Sequence, residues 1–496
     1  MNYSEIKKIT FLGIGGKGSA YIAKFFLLLG KEVLGFDLKE SEATSELEKL
    51  GAYIQYRNPD EGEKLSGEFV VYSNDLPQKL QQRIKDENVD KNFIEVGSLY
   101  RQIISDFKND YMSLNEKDLF VKSGIAPLFD IDTSKMKYIS VTGTDGKTTS
   151  CSMIYHILKE SGFKPALITT VSAKIGDEDI NVGLHTTTPT SQELYGLIKK
   201  AEEAKCTHMI IEATSHGLEQ GRLAGLKFDV VGYTNISNEH LDYHKTWENY
   251  VQAKSLLITD HLKECAPVIL NLDDKSYSRL KILTDNNIDY SLQNNADIYA
   301  TEISESSEGL KFKTNYQNSS LETNINILGK YNISNFLLTC GICLNLGLSL
   351  ENIVKNIKTF DTVRGRMQIL QKAPFLVIVD YAHTPNAVKN ALESARELVG
   401  NGKLIHVFGS AGHRDFYKRP EMGLISNQLA DITILTAEDP RLEDLKEIND
   451  SIQEGWMRGS DLKNKDLIRF DDTSENIKNR RDAIQKALSI ANKGDL

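Results

Sequence analysis

The chain contains 496 residues, with 59 Lys and Arg against 69 Asp and Glu, which gives a formal net charge of −10. At about 150 residues per domain, this length corresponds to roughly three domains and excludes a mini-protein that depends on disulfides or metals to fold. The acidic balance argues against a protein that binds nucleic acid mainly through electrostatic attraction. It does not exclude an anionic ligand, because backbone amides and a few cations can bind phosphate inside an acidic protein.

Cysteine usage and the N-terminal sequence point to a cytoplasmic protein. The five cysteines are an odd number, and they lie between Cys151 and Cys343 without the pattern of a disulfide framework. The N-terminus has no cationic segment followed by a long apolar one, so we predict no secretory signal. The apolar run 25–29 is far shorter than the ~18 residues of a membrane span, and we expect no membrane partner.

The N-terminal part of the chain alternates predicted strands with predicted helices. The segments that carry this pattern are 6–38, 69–73 and 93–96. The order predicts a small doubly wound α/β domain over residues 1–105. Its first turn contains Gly15 and Gly16, and Asp37 ends the second strand. A glycine turn before a helix favours a nucleotide ligand, but a turn that only packs the helix on the sheet is the alternative.

Two further alternations of strands and helices follow a polar linker at 106–122. The strands predicted in the second are 137–141, 209–213, 230–236 and 267–272, followed by a hairpin-like region at 298–328. The strands predicted in the third are 375–381, 404–409 and 431–437. Strands that alternate with helices form α/β sheets, so we predict a central domain at 106–360 and a C-terminal domain at 361–496.

A glycine-rich segment at 141–149 carries the strongest motif, and it lies between a predicted strand and a helix predicted at 150–160. Its glycines let backbone N–H groups surround phosphate oxygens, and the helix N-terminus adds partial positive charge. Lys147 is expected to reach the β- and γ-phosphates of a nucleotide, and the Thr148 hydroxyl is expected to bind Mg²⁺. An accidental Gly-Lys pair in a turn is the alternative.

The general phosphate-loop pattern has a glycine where this chain has Thr142, and the compact Gly-Thr-x-Gly-Lys-Thr-Thr form is similar to that of the Mur ligase family. Further segments resemble this family in order and approximate spacing. They are 185–189, 210–257, 329–332, 365–367, 380–385, 414–415, 418–420 and 438–441. The resemblance covers residues 124–495. It implies a three-domain α/β architecture, in which a central phosphate-loop ATPase domain lies between two Rossmann-like domains.

The resemblance also implies the catalytic residues and the metal ligands. Lys147, Glu212, His240 and Lys254 are the implied catalytic residues. Glu212 and His240 are implied to hold a second Mg²⁺ ion besides the one at Thr148. Lys254 is implied to be carbamylated by CO₂, and the resulting anionic group helps to position Mg²⁺. Taken singly, Glu212 is better explained as an ordinary strand-end carboxylate, His240 as a hydrogen-bonded loop histidine and Lys254 as a solvated lysine of an amphipathic helix. The combination with the glycine-rich segment favours the functional interpretation.

Substrate contacts follow from the same resemblance. The implied ATP contacts are Gly143, Thr144, Asp145, Gly146, Lys147, Thr148, Thr149, Asn332, Arg366 and Asp380. The implied contacts to a UDP-muramoyl substrate are Gly15, Gly16, Asp37, Thr187, Thr188, Thr214, Ser215, Gln220 and Arg222. The implied contacts to an amino acid are Arg414, Glu438, Asp439 and Arg441. Hydroxyls, an amide and a guanidinium suit a sugar phosphate and a peptide carboxylate.

The central and C-terminal segments are most similar to the family member that adds the third amino acid to UDP-N-acetylmuramoyl-L-Ala-D-Glu in peptidoglycan precursor synthesis. The expected reaction uses ATP to form an acyl phosphate, which an amino group then converts to an amide. Arg414 and Arg441 favour a dicarboxylic or diaminopimelate-like amino acid, although Asp439 adds a negative charge where the family has an amide. The N-terminal glycine turn instead resembles the member that adds the first amino acid, with UDP as the expected ligand near Asp37.

Two alternative functions remain open at this point. One is a different ligase of the same family, either the first-amino-acid enzyme or one that acts on another carboxylate. The other is a regulatory protein that binds a nucleotide without turnover. The chain ends where the family continues into a further strand, so we expect either a truncated chain or an incomplete amino-acid pocket. Cys340 and Cys343 lie in an apolar helical segment and are expected to be packed core residues, not a metal or redox pair.

Overall fold

The computed structural model describes residues 5–73, 76–96, 98–99, 102–103, 134–170, 172–180, 188–189, 191–223, 226–293, 296–306, 308–413, 416–459, 465–471 and 476–496. The predicted linker at 106–122 and the predicted site residues Thr187 and Arg414 lie outside these ranges. The chain divides into two compact units. The first unit comprises Met1–Ser140, Phe163–Asp229 and Leu256–Ala266, and the second comprises Val141–Gly162, Val230–Ser255 and Pro267–Leu496.

Strands and helices alternate along most of the described chain, as predicted. The strands are β1 (Lys8–Leu12), β2 (Glu32–Phe36), β3 (Tyr53–Gln55), β4 (Phe69–Tyr72), β5 (Asn92–Glu95), β6 (Lys137–Thr142), β7 (Pro165–Ile168), β8 (Ala173–Ile175), β9 (Glu178–Ile180), β10 (His208–Glu212), β11 (Val230–Tyr233), β12 (Val268–Asn271), β13 (Asn287–Ser291), β14 (Ile298–Ser306), β15 (Gly309–Tyr316), β16 (Ser319–Ile325), β17 (Gln368–Gln371), β18 (Val377–Val379), β19 (Ile405–Phe408), β20 (Ile432–Leu435) and β21 (Asp466–Arg469). The helices are α1 (Lys17–Leu28), α2 (Glu42–Lys49), α3 (Gln78–Glu87), α4 (Lys147–Glu160), α5 (Ser191–Glu203), α6 (Ser215–Glu219), α7 (Leu241–His244), α8 (Trp247–Thr259), α9 (Tyr277–Lys281), α10 (Tyr331–Asn345), α11 (Leu350–Ile357), α12 (Pro385–Val399), α13 (Lys418–Leu429), α14 (Leu445–Trp456) and α15 (Asn476–Ile490). None of these helices, within the described residues, has the length and apolar character required to cross a membrane.

A five-stranded parallel sheet forms the start of the first unit, in the order β3-β2-β1-β4-β5. The central strands are apolar along their length because both faces of a parallel sheet are covered. Phe11 in β1 and Val70 in β4 accordingly have no exposed surface. The strand order changes direction between β1 and β4, and sheets of this type bind ligands at such a switch point, beyond the carboxyl ends of the strands. The predicted doubly wound sheet is thus confirmed.

The remainder of the first unit contains a second stretch of sheet. β10 pairs in parallel with β7, and β8 and β9 continue from β7 as an antiparallel meander. Ser140, in β6, donates its hydroxyl to the carbonyl of Ile211 in β10 over 2.9 Å. The part of β6 in this unit, up to Ser140, therefore lies beside β10. The residues that follow β10 lie at the carboxyl end of its strand, where ligands bind in α/β sheets.

In the second unit, β11, β12, β13 and β14 run parallel, and β15 and β16 complete the order with an antiparallel hairpin. Helix α10 packs so closely on this sheet that a Cβ on Gly341 would lie 2.6 Å from Cγ2 of Ile269. Cys340 and Cys343 flank this contact with no exposed surface, and burial raises their thiol pKa values. Both thiols are free, so the prediction that they are packed core residues is confirmed.

The last part of the second unit differs from the prediction in one strand. β19, β20 and β21 form a parallel sheet, but the segment predicted as a strand at 375–381 contributes only β18, which pairs antiparallel with β17 outside that sheet. Its backbone and side-chain groups bond elsewhere. The N–H of Leu376 donates to the carbonyl of Asp495, and the Asp380 carboxylate accepts the N–H groups of Met367 and Ala382. These bonds end the strand early.

A buried histidine stands at the start of β10 in the first unit. His208 is 5% exposed, its Nδ1 lies 2.8 Å from the hydroxyl of Thr207, and its ring meets the edge of Phe163. Burial, assisted by the positive charge of Lys137, lowers the pKa of His208 from 6.5 to about 4. The folded chain therefore keeps this imidazole neutral at pH values where an unfolded chain would bind a proton.

We expect this histidine to make the protein less stable in mild acid. Between pH 6.5 and about 4 the unfolded state binds one more proton at His208 than the folded state, so stability falls as the pH falls. The free energy of unfolding of the parent chain should fall between pH 7 and pH 5. In the His208→Gln variant this fall should be smaller by about 2 kcal/mol. Urea denaturation at both pH values measures this difference. His413→Gln, at an exposed histidine, is the control. Equal losses in the parent and His208→Gln would contradict the expectation.

Candidate active site

Residues 143–146, called the phosphate loop below, connect β6 to α4. Gly146 has a left-handed φ of 85° and turns the chain directly into α4, so the helix begins at Lys147, three residues before the predicted start. A Cβ on Gly146 would lie 2.1 Å from Oδ1 of Asn335, and one on Gly143 would lie 1.8 Å from Oγ1 of Thr234. Only glycine fits either position, because the loop is closely packed from both sides.

Two lysine ammonium groups donate to carbonyl oxygens of the phosphate loop. Lys147 Nζ donates to the carbonyl of Thr144, and Lys254 Nζ donates to that of Gly143, each over 2.7 Å. Lys254 comes from α8, is 1% exposed, and also lies 4.5 Å from the centre of the Tyr250 ring. The structure therefore brings together two of the predicted catalytic residues at the N-terminus of α4, where anions bind.

Asn235, a residue that the sequence analysis did not select, anchors the phosphate loop to the end of β11. The N–H of Thr144 donates to the Asn235 carbonyl over 2.7 Å. The N–H of Asp145 donates to Asn235 Oδ1 over 3.1 Å, and Asn235 Nδ2 donates back to the Asp145 carbonyl over 3.2 Å. An asparagine directly after a buried strand is the sequence signal for such an anchor, but it does not identify the loop that the amide will hold.

Glu239 is a second residue that the sequence analysis did not select. Its carboxylate is 5% exposed and lies 3.8 Å from His240 Nε2 and 3.4 Å from His383 Nε2. Burial alone would raise the pKa of Glu239, but the nearby His240, His383 and Lys147 outweigh it and hold that pKa well below its usual range. Burial lowers the pKa of His240 to about 4 despite the carboxylate beside it.

Buried amides connect α10 to the phosphate loop. Asn332 is 5% exposed, and its Nδ2 donates to the carbonyl of Leu328 over 2.6 Å. Asn335, which the sequence analysis missed, donates to Asn332 Oδ1 over 2.8 Å and lies against Gly146. The two side chains repeat at an interval of three, so they share one face of α10, and this spacing is the signal that could have found the second.

The predicted nucleotide residues Arg366 and Asp380 lie at the same end of the antiparallel β17–β18 pair, because Arg366 precedes β17 and Asp380 follows β18. Asp380 accepts the N–H groups of Met367 and Ala382, each over 2.7 Å. Burial raises the pKa of Asp380. The Arg366 guanidinium lies 4.8 Å from the centre of the Tyr381 ring. Both charged groups therefore have a fixed setting on the same short hairpin.

The predicted acceptor residues of the first unit surround the end of β10. Glu212 is 2% exposed, and Thr170 contacts its two carboxylate oxygens through its N–H at 3.2 Å and its hydroxyl at 3.3 Å. Thr188 Oγ1 donates to the Glu212 carbonyl over 3.1 Å and lies 3.0 Å from Thr214 Oγ1. Arg222 donates to the Thr188 carbonyl over 2.7 Å. The predicted residues Ser215, which begins α6, and Gln220, which accepts from Arg222, complete the set.

The N-terminal glycine turn closes on Asp37. The N–H of Gly15 donates to Oδ2 of Asp37 over 2.8 Å, and the N–H of Leu38 donates to Oδ1 over the same distance. A Cβ on Gly15 would lie 2.8 Å from Cγ2 of Thr44. Gly16 is the last residue before α1. The three residues predicted to meet a uridine nucleotide therefore form one bonded turn, with the carboxylate engaged by the turn's own backbone.

The predicted amino-acid contacts lie on the loop after β20. Glu438, Asp439 and Arg441 are exposed, and Arg441 Nε lies 3.4 Å from Oδ2 of Asp439. Beneath them, Arg419 is 2% exposed and pairs with both carboxylate oxygens of Glu443 at 2.6 and 2.8 Å. The same guanidinium donates to the carbonyl of residue 411 over 3.0 Å, so it joins the loops that follow β19 and β20.

Two predicted metal ligands fall in different units. Glu212 belongs to the first unit and His240 to the second, so their shared role remains a prediction from the resemblance. Thr148, 4% exposed, lies in the first turn of α4. Over the ranges that the structure describes, no group of three or more His, Cys, Asp or Glu side chains could hold a metal by itself.

Comparison with known domain families gives three matches along the chain. Residues 8–108 match the Mur ligase family catalytic domain, 141–343 the Mur ligase middle domain, and 365–496 the Mur ligase glutamate ligase domain. The UDP-N-acetylmuramoyl-L-alanyl-D-glutamate--2,6-diaminopimelate ligase of Clostridium botulinum is 39% identical over 366 residues, which are 73% of this chain and 71% of that protein. The chain belongs to the Mur ligase family.

Solved structures agree with this assignment. A 2,6-diaminopimelate-adding Mur ligase superposes with a TM-score of 0.54 and 26% identity over 88% of this chain and 87% of that one. The UDP-N-acetylmuramate-alanine ligase of Thermotoga maritima has a TM-score of 0.50 and 19% identity over 98% of this chain and 100% of that one, a likeness that extends to the fold alone. The predicted three-domain α/β Mur ligase fold is confirmed, and the boundaries 1–105, 106–360 and 361–496 stay a prediction.

Proposed function

We propose that this Mur ligase is a cytoplasmic enzyme that uses ATP and Mg²⁺ to add an amino acid to UDP-N-acetylmuramoyl-L-Ala-D-Glu. The observation that carries the proposal is the phosphate loop with two lysines, Lys147 and Lys254, bonded to its carbonyls. Relatives that are 35–39% identical over most of the chain are named as ligases of UDP-N-acetylmuramoyl-L-alanyl-D-glutamate, which supports the choice of acceptor. The UDP-muramoyl peptide, the amino acid and ATP are the small-molecule partners of this proposal.

The nucleotide end of the site is built from the second unit. Backbone N–H groups of Gly146 and of the first turn of α4, at Lys147, Thr148 and Thr149, would surround the phosphates of ATP. Asn332, Arg366 and Asp380 would contact the adenosine part and a phosphate, since they offer an amide, a guanidinium and a carboxylate. Each of these side chains has hydrogen bonds or ring contacts that fix its orientation before a nucleotide arrives.

The acceptor end is built from the first unit. Thr188, Thr214, Ser215, Gln220 and Arg222 would bind the sugar phosphate and the peptide carboxylate, together with Thr187. The turn of Gly15, Gly16 and Asp37 would hold the uridine nucleotide. Support for the first group comes from its hydrogen-bond network around the end of β10, where hydroxyls and a guanidinium occur together.

The donor set fits Mg²⁺. A threonine hydroxyl at Thr148, a carboxylate at Glu212 and an imidazole at His240 are compatible with a hard cation that also binds phosphate oxygens and water. The Lys254 ammonium is 1% exposed on the loop carbonyl, a setting in which reaction with CO₂ would replace a buried cation by an anionic oxygen donor. When bound, the metal ions neutralise negative charge on the phosphates and on the acceptor carboxylate.

The proposed reaction gives each of these protein groups a role. The acceptor carboxylate attacks the γ-phosphorus of ATP, ADP leaves, and an acyl phosphate forms. Lys147 stabilises the charge that develops on the transferred phosphoryl group. The amino group of the incoming amino acid then attacks the acyl carbon, phosphate leaves, and an amide remains. Arg414 and Arg441 would hold a distal carboxylate of that amino acid, with Glu438 and Asp439 beside it, which favours a diaminopimelate-like substrate.

Phosphate release tests this function. The purified chain is incubated with ATP, Mg²⁺ and a matrix of UDP-muramoyl acceptors and amino acids, and phosphate, ADP and AMP are measured. We expect turnover with UDP-N-acetylmuramoyl-L-Ala-D-Glu and diaminopimelate, with ADP and phosphate as products. Turnover only with UDP-N-acetylmuramate would support the first-amino-acid reaction instead. AMP and pyrophosphate would contradict the acyl-phosphate scheme, and the absence of turnover with every pair would favour a non-catalytic protein.

A further inference from the structure

Asp145 puts a carboxylate inside the phosphate loop, directly before Gly146 and Lys147. A loop of this kind attracts phosphate through backbone N–H groups and the positive end of a helix. A carboxylate in the same loop repels a triphosphate unless its charge is held elsewhere. Binding of a triphosphate therefore requires contacts that hold the Asp145 side chain away from the phosphates.

The N-terminus of α12 provides these contacts. Thr384 Oγ1 donates to Oδ1 of Asp145, and Asn386 Nδ2 donates to Oδ2, each over 3.3 Å. Thr384 also caps α12, because its hydroxyl oxygen accepts the N–H of Ala387 over 3.1 Å. That bond occupies the hydroxyl oxygen as an acceptor and leaves its hydrogen for Asp145. Each carboxylate oxygen thus has its own donor, close to the positive end of a 15-residue helix.

The backbone of Asp145 is held in place, whereas its side chain is free to change direction. Asn235 binds both the N–H and the carbonyl of Asp145, which fixes the main chain of the loop. The carboxylate can still rotate about its side-chain bonds. Its direction is therefore set by Thr384 and Asn386, and it depends on where the N-terminus of α12 lies.

The same segment also holds a second negative charge. His383, next to Thr384, lies 3.4 Å from the buried carboxylate of Glu239, and that carboxylate is close enough to Lys147 for the ammonium charge to act on it. Residues 383–386 therefore engage two acidic side chains that surround the phosphate-binding end of α4. Two contacts from one short segment are a stronger constraint than either alone.

We propose that Thr384 and Asn386 are positioning residues for ATP: they hold the Asp145 carboxylate away from the triphosphate, so that ATP affinity depends on the docking of α12 on the phosphate loop. This inference rests on the proposed function, because it requires that the loop binds ATP. Docking of α12 and binding of the nucleotide then favour each other, and the coupling is reciprocal.

The test is a double-mutant cycle read by nucleotide affinity. Isothermal titration calorimetry with AMP-PNP and Mg²⁺ gives the dissociation constant of the full chain and of Asn386→Ala, Asp145→Asn and the double variant. Asn386→Ala should weaken binding by about five- to ten-fold, because the carboxylate loses a donor and turns toward the phosphates. Asp145→Asn should bind more tightly than the parent chain. The double variant should match Asp145→Asn, because no carboxylate remains to be held. Thr384→Ser, which keeps the hydroxyl, should bind as the parent chain does.

The controls separate this inference from the proposed function and from unfolding. Asn390→Ala makes the same change one turn further along α12 and should leave the affinity unchanged. Thermal unfolding monitored by circular dichroism checks that every variant is folded. Parent-like binding by Asn386→Ala, or a double variant as weak as Asn386→Ala, would overturn the inference alone. A parent chain that binds no AMP-PNP would overturn the proposed function together with the inference.

Discussion

Substitution of Lys147 by Ala is expected to lower the rate of phosphate release by about 10³-fold, which is the size of effect seen when a charge-stabilising group is removed from a phosphoryl-transfer site. The ammonium already lies at the N-terminus of α4, bonded to the carbonyl of Thr144 over 2.7 Å. Charge that develops on the transferred phosphoryl group would draw it from that carbonyl. Steady-state measurement of kcat and of KM for ATP checks the expectation, and kcat should change more than KM.

Lys159→Ala is the matched control for this experiment. Lys159 is an exposed lysine in the last turn of the same helix, so its removal costs the protein one positive charge without touching the phosphate loop. We expect parent-like turnover for this variant. A Lys147→Ala enzyme that kept more than a tenth of the parent rate would remove this lysine from the proposed mechanism.

The second large effect is expected at Lys254. Lys254→Ala and Lys254→Arg should both lower turnover by about 10²-fold or more, the size of effect expected when a group that positions a metal is lost. Arginine keeps the positive charge, but its guanidinium stays protonated and so does not form a carbamate with CO₂. The two variants should therefore be similarly impaired. Incubation of the parent chain with ¹³C-bicarbonate should give a carbamate signal in the NMR spectrum, and both variants should lack it.

Two further experiments test whether Lys254 acts as an anionic carbamate. Small carboxylates such as acetate should partly restore turnover of Lys254→Ala but not of Lys254→Arg, because only alanine leaves room beside the Gly143 carbonyl. Lys227→Ala, at an exposed lysine, should keep both the signal and the rate. An active Lys254→Arg enzyme would show that a cation is sufficient at this position, and the carbamate would then have no role.

The local parts of the site were predictable from the sequence. The segment 141–149 combines a strand, two glycines and a lysine, and these residues interact within one loop and one helix turn. The start of α4 was placed three residues late because the left-handed conformation of Gly146, which begins the helix, depends on packing against Asn335 from a distant part of the chain. The local sequence pattern predicts the loop, but the conformation of its last residue, Gly146, depends on long-range packing.

The residues that the sequence analysis missed share one property. Asn235, Glu239 and Asn335 act through contacts with side chains or backbone from other elements, and the local sequence does not identify those distant partners. Glu239 precedes the predicted metal ligand His240, and its buried carboxylate pairs with the exposed His383, which is more than a hundred positions away in the sequence. A single sequence carries no distance information at that range.

The strand predicted at 375–381 was misassigned for a similar reason. An apolar run of this length is compatible with a central strand of a parallel sheet, and periodicity does not reveal which hydrogen-bond partners are available. In the structure the Leu376 N–H donates to the Asp495 carbonyl, and the Asp380 carboxylate accepts the N–H groups of Met367 and Ala382. The result is a three-residue strand in a separate hairpin.

The pair formed by Arg419 and Glu443 has a consequence for engineering. Breaking a buried ion pair is costly, so these two residues hold the loops after β19 and β20 in one shape. Glu438, Asp439 and Arg441 project from that framework into solvent, and their replacement leaves the framework bonds intact. If these three residues contact the amino acid, as the proposed function has it, directed evolution can vary them at low cost in stability and change the substrate while the fold is kept.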